Sequence, residues 1–213
     1  MVGQAVLREC LLDPAITSVL TLCRTAPPTS HPKLRHIPHA DLFDLTAVEA
    51  QLTNLDACFF CVGVTSVGMK DNEYRHLTYD LTLSVARTLQ RLNPAMAFIY
   101  ISGQGTDPKS SLHWARVKGE TESALLELFP RAYMFRPGYI QPMHGVRAKI
   151  AWYNAVYAVL GPLYPLLKRV VPSMFTSSEA VARAMLRAAQ HGAPKRVLET
   201  PDINALASTP ALN

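Results

Sequence analysis

Short apolar runs alternate along this chain with segments of helical periodicity, and that alternation constrains the fold more than any other feature. The runs are Ser18–Cys23 (SVLTLC), Ala57–Val62, Ala97–Ser102 (AFIYIS) and Ala132–Arg136 (AYMFR), with a weaker one at Leu34–Pro38. Apart from Leu34–Pro38, each is short and mainly apolar, which is the pattern of a strand covered on both faces. Between them lie candidate helices at Val2–Leu12, Asn72–Leu92 and Ser111–Leu128. Strands alternating with helices imply parallel βαβ units joined by right-handed crossovers. The expected fold class is therefore α/β, a doubly wound parallel sheet. Its ligand would lie at the carboxyl ends of the strands, on the loops after Cys23, Val62, Ser102 and Arg136.

Local signals fill in the remaining elements. Thr46-Ala-Val-Glu49 reads as a capping box that opens a short helix to Leu52. Thr176-Ser-Ser-Glu179 reads as a second one, opening a helix that stops at Gly192. Arg196–Glu199 is expected as an edge strand, with a frayed tail after Asn204.

Composition narrows the function classes. The net charge of +5 is spread among acidic residues rather than gathered in a basic stripe with aromatics, so a nucleic-acid partner is not expected. A mildly basic surface suits an anionic small ligand. Of the four cysteines, Cys58 and Cys61 have C-x-x-C spacing. Within a strand, residues three apart face opposite sides, so these two thiols are expected to be structural and no metal site is expected. No secretory signal peptide is visible, and a cytoplasmic location is expected. Ile150–Leu167 is rich in aliphatic and aromatic side chains but interrupted by Gly161, Pro162 and Pro165. It reads as a buried or lid helix, with peripheral membrane contact as the alternative.

The first residues carry a fragment of a motif. Met1-Val2-Gly3 fits the last three positions of G-x-x-G-x-x-G, the turn that leads from a first strand into a dinucleotide-binding helix. Gly3 would be the third glycine, where a missing side chain lets helix and strand approach. On this reading the first strand and two glycines would precede Met1. That strand would pair with Ser18–Cys23 on one side and Ala57–Val62 on the other.

Three further runs carry a family resemblance: Tyr100-Ile-Ser102-Gly-Gln-Gly-Thr-Asp107, Trp114-Ala-Arg-Val-Lys118-Gly-Glu120 and Phe135-Arg-Pro-Gly-Tyr139. Together and in this order they resemble atypical short-chain dehydrogenase/reductases of the NAD-dependent epimerase/dehydratase kind, similar to the Tat-interacting-protein branch. The resemblance runs from Gly3 to about Leu206. It implies a Rossmann-like core over residues 1–140, and a C-terminal helical substrate or lid region over residues 141–213 packed on the same domain.

The resemblance also implies roles. Ser102 matches the serine that hydrogen-bonds a substrate oxygen, and Lys118 the lysine that contacts the nicotinamide ribose. Pro137 and Gly138 match the turn beside the nicotinamide. Cys61, Gly63, Val64 and Thr65 match the strand end beside adenine and its ribose, and Asp44 and Leu45 the pair near the adenine ring. Trp114 occupies the slot of the catalytic tyrosine, although an indole is no usable acid or base. Tyr100, His113 and Tyr139 are the candidate substitutes. Arg24 ends the second strand, where an arginine suits a 2′-phosphate, which favours NADP with NAD as the other possibility. The implied activity is that of an NAD(P)-dependent oxidoreductase or epimerase on a small carbonyl or sugar-like substrate. The alternative, prompted by Trp114, is a non-catalytic NADP(H)-sensing module.

Overall fold

In the computed structural model, residues 1–144 and 173–209 are described. Helix α1 (Val2–Leu12) leads into β1 (Val19–Cys23) and β2 (Leu34–Pro38). A 3-10 turn (Thr46–Gln51) precedes β3 (Ala57–Phe60). Next come α2 (Asp71–Arg75), a π-helical turn (His76–Asp80) and α3 (Leu81–Leu92), then β4 (Ala97–Ile101) and α4 (His113–Leu128). Strands β5 (Ala132–Arg136), β6 (Tyr139–Gln141) and β7 (Phe175–Ser177) follow, then α5 (Ser178–His191), β8 (Val197–Glu199) and α6 (Thr200–Ser208).

Among the described residues, every strand pairing is parallel. The main sheet has the order β3-β4-β5-β8, β1 pairs with β2, and β6 pairs with β7. The alternation of side chains along β4 explains why both faces are covered. Phe98 and Tyr100 enter one core layer with Phe60 and Met134 of neighbouring strands, against Leu81, Val85 and Leu89 of α3 and Leu125 of α4. Ala97 and Ile99 enter the other layer with Phe135, against Ala5 and Val6 of α1, Val181 and Met185 of α5 and Ile203 of α6. The α/β doubly wound architecture expected from the apolar runs is thus the observed one. Strands β1 and β2 belong to the same two layers: Leu20 and Leu22 pack on the first and Val19 on the second. Cys58 packs on the first layer and Cys61 on the second, on opposite sides as their spacing requires.

Several local expectations are corrected. The helix expected over Asn72–Leu92 contains the π turn at His76–Asp80, an insertion that shifts the helix face without ending the helix. Thr46 opens a 3-10 turn without a side-chain cap, because Oδ1 of Asp44 accepts from the Thr46 amide and sets the turn itself. In place of the second capping box, a single cap bond forms one residue later. Thr176 lies in β7 and donates to Oδ1 of Asn204, so Ser177 becomes the cap and accepts from the Ala180 amide. The tail after Asn204 is helical as far as Ser208, and residues 210–213 lie outside the described residues. The helical part lies in α6, where Glu199 and Asp202 form reciprocal capping bonds, Pro201 occupies the first turn and Ile203 is fully buried. Full burial of one isoleucine is worth about 1.5–3 kcal/mol, enough to hold a helix of this length in place.

The residues from 173 onward contribute to the core. Strand β8 extends the main sheet beside β5, and α5 supplies Val181, Ala182 and Met185 to the second layer. The segment Ile150–Leu167 lies outside the described residues. Among the described residues, no helix is long and apolar enough to cross a membrane.

Candidate functional site

The carboxyl ends of β4 and β5 are fastened to each other by their own backbones. The Ser102 amide donates to the Phe135 carbonyl (2.8 Å), and the Gln104 amide to the Pro137 carbonyl (3.1 Å). Gly138 is confined on the same rim. Its amide donates to Oγ1 of Thr200 at 2.8 Å, and a Cβ there would lie 2.6 Å from both Oε1 of Gln104 and the Met174 carbonyl oxygen. Only glycine allows the two loops to approach this closely. Ser102, Pro137 and Gly138 are thereby brought onto one rim.

Ser102 is buried, and its hydroxyl lies 3.0 Å from that of Thr106. Thr106 in turn donates to the Gly103 carbonyl at 2.8 Å. Since the Thr106 proton is committed to Gly103, it is Ser102 that donates to Thr106. A substrate oxygen that took the Ser102 proton would have to displace this bond. Thr106 is therefore a partner of the site that sequence reasoning missed. Its position four residues after Ser102, within a glycine-rich turn, was the available signal.

Helix α4 stands beside this rim. Its Gly119 makes the approach possible, because a Cβ there would lie 2.2 Å from the Pro108 nitrogen. Trp114 lies across Gly105, with the ring atom Cη2 3.4 Å from the position of a Cβ on that glycine. One turn further along, Nζ of Lys118 lies 5.6 Å from the centroid of the Tyr100 ring. Burial lowers the Lys118 pKa to about 8, opposed by the charge of Glu122. Glu122 is itself buried and gripped by Nε and Nη2 of Arg136, which also reaches Glu199.

Three candidate substitutes for the tyrosine are occupied elsewhere. Tyr100 is buried in the core, and burial pushes its pKa well above the ordinary phenol range, so Lys118 does not activate it. His113 lies 2.9 Å from the Asp71 carbonyl through Nε2 and 3.3 Å from Arg116 through Nδ1. The Tyr139 hydroxyl donates to Gln141 at 2.9 Å.

At the carboxyl end of β3, Gly3 backs onto the strand: a Cβ there would lie 3.3 Å from Cβ of Cys61. The first turn of α1 therefore starts beside that strand end, with Met1 as its cap and no side-chain capping bond. Gly63, Val64 and Thr65 are exposed, and a Cβ on Gly63 would meet open space. Cys61 is half-buried against the second core layer, and burial pushes its thiol up to about 12. Arg24 is exposed just after β1. Asp44 is exposed, but its carboxylate is engaged by the Thr46 amide and hydroxyl, which hold its pKa below the usual range. Leu45 departs from expectation. It is 3 % exposed within the first core layer, so its side chain packs the interior and offers little to an adenine ring. A surface cleft of about 320 Å³ between α1, α5 and α6, lined by Glu9, Asp13, Arg183 and His191, contains none of these residues.

Comparison with known proteins agrees with this architecture. No family model matches the chain. It is 30% identical over 148 residues to a protein of Emericella nidulans named Protein fmp52, mitochondrial, covering 66% of this chain and 63% of that protein. It is 26% identical over 144 residues to Protein FMP52-1, mitochondrial, of Scheffersomyces stipitis, with the same coverage of 66% and 63%. The chain thus spans somewhat under two thirds of the length of these curated relatives. Among solved structures, a short-chain dehydrogenase/reductase of Saccharomyces cerevisiae matches with a TM-score of 0.63 at 15% identity, over 97% of this chain and 94% of that one. UDP-glucuronic acid 4-epimerase of Bacillus cereus, solved in complex with NAD, matches with a TM-score of 0.62 at 14% identity, over 93% of this chain and 74% of that one. The fold is the Rossmann-like one that these enzymes share.

The relatives correct the cytoplasmic expectation, since both are named as mitochondrial. An absent secretory signal argues against export but does not separate cytosol from mitochondrion, because transit peptides are amphipathic rather than apolar.

Proposed function

We propose that this protein binds a nicotinamide dinucleotide across the carboxyl ends of its parallel strands and acts as an oxidoreductase or epimerase on a small carbonyl or sugar-like substrate. The observation that carries this reading is the locking of the β4 and β5 loops, which sets Ser102, Pro137 and Gly138 on one rim beside α4. Neighbouring folds include an epimerase solved with NAD.

The residues fit such a group. The uncapped first turn of α1 offers backbone N–H groups to a phosphate, and Gly3 holds that turn against β3. The exposed backbone at Gly63 leaves room for an adenosine moiety. Lys118, with a pKa of about 8, is mainly an ammonium at neutral pH and would donate to ribose hydroxyls. Ser102 would turn from Thr106 to donate to a substrate oxygen. When bound, the dinucleotide supplies the hydride chemistry. The exposed guanidinium of Arg24 supports a preference for the 2′-phosphorylated form. The core would comprise residues 1–140, with the remaining residues completing its sheet and substrate side. The names of the relatives support a mitochondrial setting.

Calorimetric titration with NADPH and NADH tests the binding. Binding of NADPH at least about tenfold tighter than NADH, with the preference lost in Arg24→Glu, is expected; this corresponds to about 1.4 kcal/mol. Absence of binding by either would overturn the proposal. A second reading, a non-catalytic dinucleotide sensor, is favoured by the placement of Trp114 over Gly105 where an acid would be required. Binding without turnover across carbonyl and nucleotide-sugar substrates would decide for it. Turnover abolished by Ser102→Ala would decide against it.

A further inference from the structure

We propose that the substrate of this rim is a carbonyl compound with an uncharged, apolar body rather than a nucleotide sugar. The inference rests on the reading that the reaction takes place beside Ser102, and it narrows that reading to one class of substrate. Among the described residues, the large apolar side chains that stand exposed are Leu12, Val62, Val64, Val67, Leu112 and Met174. Scattered singly they would mean nothing. All but Leu12, however, lie on loops at the carboxyl ends of the strands or beside Gly138. Val62 and Val64 flank Gly63, where the adenosine would lie. Val67, Leu112 and Met174 are left over, 82%, 58% and 49% exposed on three different loops.

Contacts tie these loops into one rim. The Met174 carbonyl accepts from the Tyr139 amide at 2.8 Å and crowds Gly138, as does the Gln104 side chain. The next residue, Gly105, has the Trp114 ring lying across it. Leu112 is the residue from which α4 starts, and Trp114 belongs to the first turn of that helix. His113 of the same turn lies 2.9 Å, through Nε2, from the carbonyl of Asp71, where the loop bearing Val67 enters α2. The contacts therefore run from Met174, past the loop that follows Ser102 and the indole of Trp114, to the loop of Val67.

Charge separates the two kinds of substrate. Residues 103–106 and 137–143, which border Ser102 and Gly138, include no acidic residue, lysine or arginine. Arg136 is committed to Glu122 and Glu199, and Arg116 to the Ser110 carbonyl. A diphosphate would find no cation on these loops. An apolar body would find Leu112, Met174 and an indole. Trp114 gains a role on this account, because an indole cannot exchange a proton but offers a large flat apolar face. The Ser102 hydroxyl is the polar anchor, so the ligand carries an oxygen next to its apolar chain or ring.

Tryptophan emission of the whole protein tests this. Trp152→Phe leaves Trp114 as the sole tryptophan, and the shift of its emission maximum reports occupancy. The probes are methyl ethyl, methyl butyl and methyl octyl ketone, with UDP-glucose as the polar comparison, each titrated with and without NADPH. Ketone affinity is expected to rise about threefold per added methylene, and UDP-glucose to leave the maximum unmoved. Leu112→Gln combined with Met174→Gln changes two exposed side chains and is expected to remove most of the dependence on chain length. Equal affinity across the ketones, a response to UDP-glucose that exceeds theirs, or a dependence that survives in the double variant would overturn the proposal. So would binding to phosphatidylcholine vesicles that the double variant abolishes, without any response to ketone, since the rim would then meet a membrane surface. Calorimetry with NADPH keeps the two readings apart. NADPH binding without a ketone response refutes the apolar substrate alone, and a ketone response without NADPH binding refutes the dinucleotide alone.

Discussion

The Lys118 ammonium lies 5.6 Å from the centre of the Tyr100 ring, and this contact faces a buried phenol rather than an ionisable one. The pairing supplies a cation–π attraction to a lysine whose charge is disfavoured by burial. Its titration should be directly visible. After reductive methylation with a carbon-13 label, the Lys118 signal is expected to titrate with a midpoint near 8. A midpoint at its ordinary value of 10.5 would contradict the burial. Linkage fixes the sign for stability. The folded pKa lies below the unfolded one, so between about 8 and 10.5 the unfolded chain binds more protons. The Lys118 contribution to stability therefore rises with pH across that window and is lowest below it. Lys118→Met should flatten that slope in denaturant titrations at a series of pH values.

Glu122 and Arg136 make a more demanding pair. Their side chains are 3% and 19% exposed, so the interaction is screened little by water. Removing one partner leaves an uncompensated charge in the interior, at a cost of about 3–5 kcal/mol. Glu122→Gln should lower the urea midpoint accordingly. It should also move the Lys118 midpoint further down, since the Glu122 charge is what raises it. Combining Glu122→Leu with Arg136→Met should recover most of the loss, because two apolar side chains need no compensation. Additive losses in the double variant would refute the coupling.

Gly119→Ala sets two effects against each other. In a helix interior, alanine is favoured over glycine by about 1 kcal/mol. At this position the new methyl would lie 2.2 Å from the Pro108 nitrogen and 2.6 Å from the Asp107 carbonyl carbon, both backbone atoms. Overpacking against backbone costs about 1–3 kcal/mol or more, so packing wins. The melting temperature is expected to fall by several degrees. An unchanged or raised value would show that the loop after β4 yields freely.

Thiol labelling should be selective. Burial pushes Cys10, Cys58 and Cys61 up to about 12. At pH 8 their thiolate fraction is about one part in ten thousand, and the thiolate is the reactive form. Native protein treated with iodoacetamide should therefore gain one adduct quickly, at Cys23, whose sulfur lies at an exposed turn beside Thr25. Mass spectrometry with peptide mapping checks this. Fast labelling at Cys61 would mean that α1 does not cover that strand end.

The site was legible where it coincides with a local motif. Gly3 announced a close approach of helix and strand, and it does back onto Cys61; the close approach at Gly138 was not announced. The strands were legible because β4 is apolar along its whole length and β5 is apolar up to Arg136. What escaped were relations between distant residues. No local pattern said that Thr106 would take the Ser102 proton, that Leu45 would be drawn into the interior, or that Thr176 would leave its capping position to bind Asn204. Helix α6 was missed because its cap is a glutamate, a residue with little capping signal of its own.

Composition and periodicity alone determined a parallel α/β sheet. Strand identity depends on the apolar character of a few consecutive residues, and helix identity on their spacing, and both are local. Tertiary structure decided which of those residues stay at the surface and which enter the core. It set Lys118 over a buried ring and committed the Ser102 hydroxyl to Thr106. Those outcomes depend on burial and on the meeting of groups far apart in the chain, quantities that exist only once the chain has folded.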